Sequence, residues 1–199
     1  MRSVPTGVIS RLMTPDVTER RAEARPTHLL LVGLPGAGKS TLGTLLARAL
    51  GLSFVDLDRQ IEQASGRSVV DIFARDGEHA FRRLEREATE QLRFVEPRVV
   101  APGGGWITQP GVVALLRPPS RVLYLHVSPV TALARMGNEV EARPLLAGED
   151  PLAALAALER ERAGAYNTAD AVLDTEAVVL QELVSQAAAL ASSWGVGIG

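Results

Sequence analysis

Residues 33–40 carry the most specific chemical signal in this chain. They read GLPGAGKS and fit the phosphate-binding pattern G-x-x-x-x-G-K-[ST]. In such a loop the glycines let backbone N–H groups converge on phosphate oxygens, the lysine reaches the terminal phosphates and the hydroxyl ligates Mg²⁺. Lys39 is the only lysine among 21 basic residues, which strengthens the match. The pattern predicts a nucleotide-phosphate site with Lys39 on the phosphates and Ser40 on the metal.

The next apolar segment ends with two carboxylates, in the sequence FVDLD at residues 54–58. Asp56 and Asp58 lie at and just past the end of a predicted strand, where alternation sends both side chains to the same side. One of them could hold a metal-bound water, and the other could orient or deprotonate an acceptor hydroxyl. For Asp58 taken alone, capping of the next helix is an equally good explanation.

Arginines and glycines further along the chain are candidates for contacts with an anionic ligand. Arg82 lies on a charged helical stretch and by itself fits a solvated, salt-bridged face. The triple glycine 103–105 follows a strand and allows close approach of a ligand, although a tight turn explains it too. Arg143 falls in the irregular, polar stretch 136–150, which is typical of a mobile active-site lid. Arg162 is either a ligand or an ordinary cation at a helix C-terminus.

These residues must be positioned by an alternation of apolar, β-prone segments and helical patterns. The predicted strands are residues 28–32, 53–55, 98–101, 121–127 and 171–173. The predicted helices are residues 41–50, 58–64, 69–75, 78–94, 111–116, a helix starting at 129, 151–162 and 179–192. Strands separated by helices imply right-handed crossovers, so we expect a three-layer α/β domain with a five-stranded parallel sheet and helices on both faces. Ligands should bind beyond the carboxyl ends of its strands.

Length and composition restrict the class of protein. A chain of 199 residues with 46% hydrophobic residues is long enough for one domain, which we place at residues 27–199 after a poorly ordered extension, 1–26. The absence of cysteine excludes a disulfide scaffold and thiol catalysis, and fits a reducing cytoplasm. The formal net charge of −2 and the short apolar runs favour neither nucleic acid nor a membrane as partner. The three histidines are far apart in sequence and are interpreted as structural or solvated.

Taken together, the motifs resemble those of shikimate kinases, small members of the group of P-loop kinases similar to nucleoside monophosphate kinases. The resemblance covers about residues 28–190. The segments that carry it are the loop at 33–41, Asp56 with Asp58, Phe81-Arg82 with Glu85, the triple glycine, the sequence RPLL at 143–146, and Arg162 with Tyr166. It implies transfer of the ATP γ-phosphoryl group to the 3-hydroxyl of shikimate, with Mg²⁺ as cofactor. It also implies a P-loop kinase fold, a monomeric state and a cytoplasmic location.

The resemblance also implies a role for each matching residue. Asp58 would contact the hydroxyls of shikimate and act as the base. The other substrate-binding residues would be Arg82 and Arg162 on the carboxylate, with Gly103, Gly104 and Gly105 in the same pocket. The ATP-binding residues would be Gly36, Ala37, Gly38, Lys39, Ser40, Thr41, Arg135 and Arg143, of which Lys39 and Arg143 would also stabilise the transition state. Ser40 would bind Mg²⁺ directly and Asp56 would bind it through water.

Two other functions stay open at this point. A sister kinase of the gluconate type would share the loop and the fold, and a non-catalytic sensor would keep the fold to bind a ligand. The chain also departs from the family pattern. Pro102 and Trp106 stand where a Thr-like and a small residue are usual, and one residue more than usual separates Arg135 from Arg143. These departures concern the shape of the pocket and the register of the lid.

Overall fold

The sheet of this protein has five parallel strands in the order β2-β3-β1-β4-β5. The computed structural model describes residues 27–146 and 148–197, so the predicted extension 1–26 lies outside the described residues. The strands are β1 (Leu29–Val32), β2 (Ser53–Asp56), β3 (Arg98–Ala101), β4 (Arg121–His126) and β5 (Ala171–Asp174). The predicted parallel sheet is therefore confirmed, with strand ends that differ by at most one residue.

The central strand β1 is buried on both faces, which explains its uninterrupted apolar sequence. Leu29 and Leu31 pack into the hydrophobic cluster on one side of the sheet. Leu30 and Val32 pack into the cluster on the other side. Because alternate side chains point to opposite faces, both layers of helices rest on this strand. The three-layer architecture thus follows from the sequence LLLV.

Seven α-helices connect or cover the strands of the described ranges. They are α1 (Lys39–Ala49), α2 (Leu57–Ser65), α3 (Val69–Gln91), α4 (Val113–Leu116), α5 (Pro129–Met136), α6 (Pro151–Tyr166) and α7 (Leu180–Ser193). Ser68 caps α3 by accepting a hydrogen bond from the Asp71 N–H at 3.0 Å. Within the described ranges, no helix combines the length and the apolar composition needed to cross a membrane.

The largest differences from the predicted elements lie in α6 and after α5. The break predicted between the helices 69–75 and 78–94 is present inside α3, where Gly77 has a non-helical φ of 81° and ψ of 170°. Helix α6 extends to Tyr166, so Arg162 lies inside it rather than at its end. The stretch predicted as an irregular lid contains the 3₁₀ segments Gly137–Ala142 and Pro144–Leu146. Its mobility stays a prediction.

Candidate active site

A cavity of about 950 Å³ opens beyond the carboxyl ends of the strands. Every residue assigned above to nucleotide, metal or substrate lines it, including Arg135 from α5 and Arg143 from the predicted lid. The cavity lies where parallel α/β sheets commonly bind ligands, because the loops that leave neighbouring strands diverge there. The structure therefore brings together residues that are spread over more than half of the chain.

The phosphate-binding loop joins β1 to α1 and forms one end of the cavity. Gly36 and Gly38 have φ of 79° and 86°, a region that residues with a side chain rarely adopt. A Cβ atom on Gly36 would also lie 2.3 Å from the backbone oxygen of Ala132. Glycine at this position is thus required by both conformation and space. The loop brings the N-terminus of α1, with its free N–H groups, to face the cavity.

Lys39 is folded back onto the loop that carries it. Its ammonium donates hydrogen bonds to the carbonyl oxygens of Gly33 at 3.0 Å and Leu34 at 2.9 Å. Burial lowers the pKa of Lys39 to about 8, although the nearby Asp58 carboxylate opposes this shift. At pH 7 the group is mostly protonated and provides a positive charge in the cavity.

Ser40 and Asp56 form an oxygen-rich pair beside the loop. The Ser40 hydroxyl donates to Oδ2 of Asp56 at 2.7 Å. The other carboxylate oxygen of Asp56 accepts from the Arg59 N–H at 3.4 Å and caps α2. A hydroxyl and a carboxylate facing the same cavity are the hard oxygen ligands that Mg²⁺ prefers. These two residues therefore fit the predicted metal site.

Asp58 lies in the first turn of α2, and not on a strand as the alternation argument assumed. That argument was wrong because the helix begins at Leu57, and Asp56, not Asp58, caps it. Asp58 nevertheless lines the cavity, and its Oδ1 atom is buried without a hydrogen-bond partner in the part of the chain that the structure describes. Burial, together with the negative charges of Glu85 and Asp56, raises the pKa of Asp58 to about 6.

Arg82 projects into the cavity from α3, held between two carboxylates. Its Nη1 atom donates to Oε2 of Glu85 at 2.8 Å, and Nη2 donates to Oε1 of Glu78 at 2.8 Å. The Glu85 side chain is completely buried, whereas that of Glu78 is 54% exposed. The ion pair with Glu85 is therefore the stronger constraint on the guanidinium. The salt bridges of the helix-face interpretation are present, but its solvated Arg82 is wrong, because this side chain is largely buried and lines the cavity.

The triple glycine is packed against the charged groups of the site. A Cβ atom on Gly103 would lie 2.5 Å from Oε1 of Glu85 and 2.9 Å from Oδ1 of Asp58. On Gly105 it would lie 2.5 Å from Nη2 of Arg82. A tight turn alone does not explain why a side chain at these positions would collide with the charged groups of the site. The glycines allow the backbone to lie directly on the side chains that line the cavity.

Arg162 is buried under the same loop, with only 3% of its surface exposed. A Cβ atom on Gly104 would lie 2.8 Å from its Nη1 atom. Tyr166, one turn later in α6, donates from its hydroxyl to the Gly104 carbonyl at 3.4 Å and stacks on Tyr124 at 4.4 Å. The interpretation of Arg162 as an ordinary helix-end cation is therefore wrong, because such a cation would be solvated.

Arg135 and Arg143 both line the cavity. Arg135 donates from Nη1 to the Thr175 hydroxyl at 2.8 Å and from Nη2 to the Thr175 carbonyl at 2.7 Å. Arg143 lies between the two 3₁₀ segments, and its positive charge adds to the effect of burial that lowers the pKa of Lys39 and opposes the rise in the pKa of Asp58 that burial causes. The additional residue between the two arginines thus leaves both of them on the cavity wall. Thr175 was not identified from the sequence.

Sequence reasoning also missed the side chains behind the cavity wall. Gln109 donates from Nε2 to Oε2 of Glu85, and Trp106, which is completely buried, donates from its indole N–H to the Thr89 hydroxyl at 2.9 Å. The unusual tryptophan after the glycines was the only signal of this arrangement. It replaces a small residue without filling the cavity, because its ring packs into the hydrophobic cluster under the sheet.

The prediction that the histidines are structural or solvated holds for His28, whereas His126 has acidic neighbours. Ligand atoms of His126, Asp174 and Glu176 lie within 4.8 Å of one another. Glu176 already accepts hydrogen bonds from the Ser128 N–H at 2.7 Å and the Ser128 hydroxyl at 2.9 Å. Its carboxylate thereby stabilises the start of α5, which explains its position without a metal.

The shikimate kinase family model matches residues 35–190 of this chain. A shikimate kinase from Moorella thermoacetica is 44% identical over 151 residues, which is 76% of this chain and 86% of the relative. One from a Synechococcus strain is 46% identical over 144 residues, covering 72% of this chain and 73% of the relative.

Solved structures give the same comparison in three dimensions. A shikimate kinase from Acinetobacter baumannii in complex with shikimate superposes with a TM-score of 0.79 at 33% identity, covering 87% of this chain and 97% of that chain. A gluconokinase from Sinorhizobium meliloti reaches a TM-score of 0.56 at 19% identity, covering 86% of this chain and 94% of that chain. The second likeness concerns the fold alone.

Proposed function

The chain belongs to the shikimate kinase family and is an ATP-dependent kinase, and we propose that it transfers the γ-phosphoryl group of ATP to the 3-hydroxyl of shikimate. The products are shikimate 3-phosphate and ADP. The observation that carries this proposal is a single cavity with two chemically different ends. One end is the phosphate-binding loop, and the other has a carboxylate and two arginines, Asp58, Arg82 and Arg162, around the triple glycine.

The arginine end suits a small polyhydroxy acid. Arg82 and Arg162 each present a planar guanidinium, whose paired N–H groups match a carboxylate. Both are held by neighbours before substrate arrives, since Arg82 is ion-paired with Glu85 and Arg162 is buried beneath Gly104. Preorganised donors of this kind lose little side-chain entropy on binding.

Asp58 is the proposed base. Its pKa of about 6 leaves most of the group ionised at pH 7, yet close enough to neutrality to accept a proton readily. The buried Oδ1 atom, which lacks a partner among residues 27–146 and 148–197, is the proposed acceptor for the substrate hydroxyl. As the hydroxyl oxygen forms its bond to the γ-phosphorus, the bond from that phosphorus to the bridging oxygen of ADP breaks. The hydroxyl proton passes to Asp58.

Lys39 and Arg143 are proposed to stabilise the charge on the transferred group. Both carry N–H donors into the cavity and lie near enough for their charges to influence each other and Asp58. Such preorganised cations act on the charge of the phosphoryl oxygens in the transition state. Arg143 would supply its charge from the predicted lid, 136–150, while Arg135 would line the nucleotide end.

Mg²⁺ is part of the proposal, with Ser40 as direct ligand and Asp56 as a ligand through water. The hydrogen bond of 2.7 Å between their oxygens shows that both point to one place in the cavity. A bound Mg²⁺ would neutralise charge on the phosphates of ATP. A cytoplasmic location and a monomeric state also belong to the proposal, together with the expectation that nucleic acid is not a partner.

The test is an ADP-release assay with Mg-ATP and, in parallel, shikimate, gluconate, quinate or no acceptor. We expect release that depends on shikimate and is lost in Lys39→Ala, because that variant lacks the charge on the phosphates. Release with gluconate alone would replace the proposal by a sister kinase. No release with any acceptor, while shikimate still binds in calorimetry, would replace it by a sensor.

A further inference from the structure

The turn that follows the triple glycine contacts Glu85 from two directions. Gln109 donates from Nε2 to Oε2 of the Glu85 side chain. Trp106 donates from its indole N–H to the Thr89 hydroxyl at 2.9 Å, and this hydroxyl donates to the backbone oxygen of Glu85 at 2.7 Å. One turn of the chain therefore supports both the side chain and the backbone of a single buried residue.

Glu85 needs this support because its side chain is completely buried. Burial raises the pKa of Glu85, whereas the hydrogen bonds from Arg82 and Gln109 oppose the rise. Its Oε1 atom has no hydrogen-bond partner within the described residues, so Oε2 receives both donors. If the Gln109 donor were removed, Arg82 would be the only side chain that donates to Oε2, and the backbone of Gly103 would be the other contact of the buried carboxylate.

Arg82 in turn depends on Glu85 for its orientation. Its second partner, Glu78, has a side chain that is 54% exposed, and exposed ion pairs constrain a side chain weakly. The guanidinium has side-chain atoms that are 18% exposed and faces the cavity. The position of Glu85 thus determines where the cavity presents the N–H groups of Arg82.

We propose that Gln109, supported by Trp106, is a positioning residue that sets the affinity for the substrate carboxylate by fixing Glu85 and, through it, the Arg82 guanidinium. This inference rests on the proposed function, in which Arg82 binds the carboxylate of shikimate. The segment 103–109 then has two functions. Its glycines line the cavity, and Trp106 and Gln109 align Arg82. Gln109 itself does not line the cavity, so its proposed effect on the substrate passes through its hydrogen bond to Glu85.

The test is the kinetics of Gln109→Met, which keeps the length of the side chain and removes its N–H donors. We expect the KM for shikimate to rise about tenfold, because a hydrogen bond to a charged group is lost. The KM for ATP should stay within about twofold of wild type, since the phosphate-binding loop lies at the other end of the cavity. The matched control is Gln63→Met, an exposed position on α2 outside the cavity, for which both KM values should be unchanged.

A second pair of variants tests the support from Trp106. Thr89→Val has the same shape but neither accepts from the indole nor donates to Glu85, and should raise the KM for shikimate about fivefold. Thr89→Ser keeps the hydroxyl and should restore the wild-type KM.

An unchanged KM for shikimate in Gln109→Met would overturn the inference. It would equally be overturned by a rise in both KM values together with a lower melting temperature, because that result indicates a general structural role. Failure of the proposed function is distinguishable, since the wild-type protein itself would then show no shikimate-dependent release of ADP.

Discussion

Buried polar groups differ between the amino edge of the sheet, where the parallel strands begin, and the carboxyl edge, where they end. At the amino edge, His28 is completely buried, and both ring nitrogens are paired, Nε2 with the Leu92 carbonyl at 2.8 Å and Nδ1 with the Arg98 N–H at 3.1 Å. At the carboxyl edge, Asp58 and Glu85 each bury an oxygen that has no partner in the described residues. A satisfied buried group stabilises the fold, whereas an unsatisfied one costs stability and is available to a ligand.

The largest effect should come from Asp58→Asn. This variant removes the proposed base, so kcat should fall by about a thousandfold. The free energy of unfolding should not fall, because the substitution replaces a buried carboxylate with a neutral group. Steady-state kinetics and urea unfolding measure the two quantities. The control is Asp76→Asn, an exposed position paired with Arg67 at 2.7 Å, and retention of full activity in Asp58→Asn would refute the role of the base.

The converse variant is His28→Phe at the amino edge. It keeps a ring but removes the hydrogen bonds of His28 to the Arg98 N–H and to the Leu92 carbonyl, which keeps only the Val95 N–H at 3.5 Å, so the free energy of unfolding should fall by about 2 kcal/mol. The kinetic constants of the folded protein should be unchanged. Urea unfolding and assays at low temperature test this pair of results. A tenfold loss of kcat/KM would break the comparison, because it would link the two edges functionally.

Gly104→Ala should give a smaller effect that is confined to the carboxyl edge. The new Cβ atom would lie 2.8 Å from Nη1 of Arg162, and the buried arginine must shift. We expect the KM for shikimate to rise about tenfold or more, because displaced binding groups lose their alignment.

Gly164→Ala is the matched control for this glycine, since its Cβ atom would have no heavy atom within 4 Å. On helix α6 this change should leave both KM values as they are and raise stability by about 0.5–1 kcal/mol. Equal kinetic effects of the two alanines would contradict the proposed role of the triple glycine.

The smallest effects concern the pH dependence of stability, where the two edges should have opposite signs. Burial raises the pKa of Asp58 to about 6, so its contribution to stability is complete below the unfolded pKa and is lost as the pH rises toward 6. Burial lowers the pKa of His28, so its contribution is present above the unfolded pKa of about 6.5 and is lost as the pH falls.

Urea midpoints measured from pH 4 to 8 separate these contributions. Asp58→Asn should remove the decrease in stability that accompanies a rise in pH to 6. His28→Phe should remove part of the decrease in stability that accompanies a fall in pH below about 6.5. In the wild-type protein, kcat should decline below pH 6 as Asp58 takes up a proton. A kcat that is independent of pH in this range would contradict the assignment of Asp58.

The sequence was sufficient for features that depend on neighbours along the chain. The strands β1 and β3 follow from short buried apolar runs, and the loop at residues 33–40 is a local motif whose conformation its glycines determine. Helix ends were less predictable. Helix α6 continues to Tyr166, four residues past its predicted end, and Tyr166 stacks on Tyr124 within a hydrophobic cluster, a contact that no local pattern encodes.

The supporting residues of the site could not be predicted for the same reason. Gln109 and Glu85 are 24 positions apart, and neither spacing nor residue type indicates that they meet. Thr175 binds Arg135 across 40 positions. Strand alternation predicted that the side chains of Asp56 and Asp58 point to the same side, but this argument does not apply to Asp58, because the residue lies in a helix. Residues that act through other residues leave no motif, so their identification required the packed structure.

The setting of Lys39 also has a consequence for chemical labelling. It is the only lysine of the chain, and its pKa of about 8 leaves about half of the group as a free, nucleophilic amine at pH 8. An amine-selective reagent would therefore modify a single lysine side chain, and that side chain lies in the candidate active site. Occupancy of the cavity by a nucleotide would protect it, so the extent of labelling at Lys39, measured by peptide mass, would report ligand binding without a substitution or a tag.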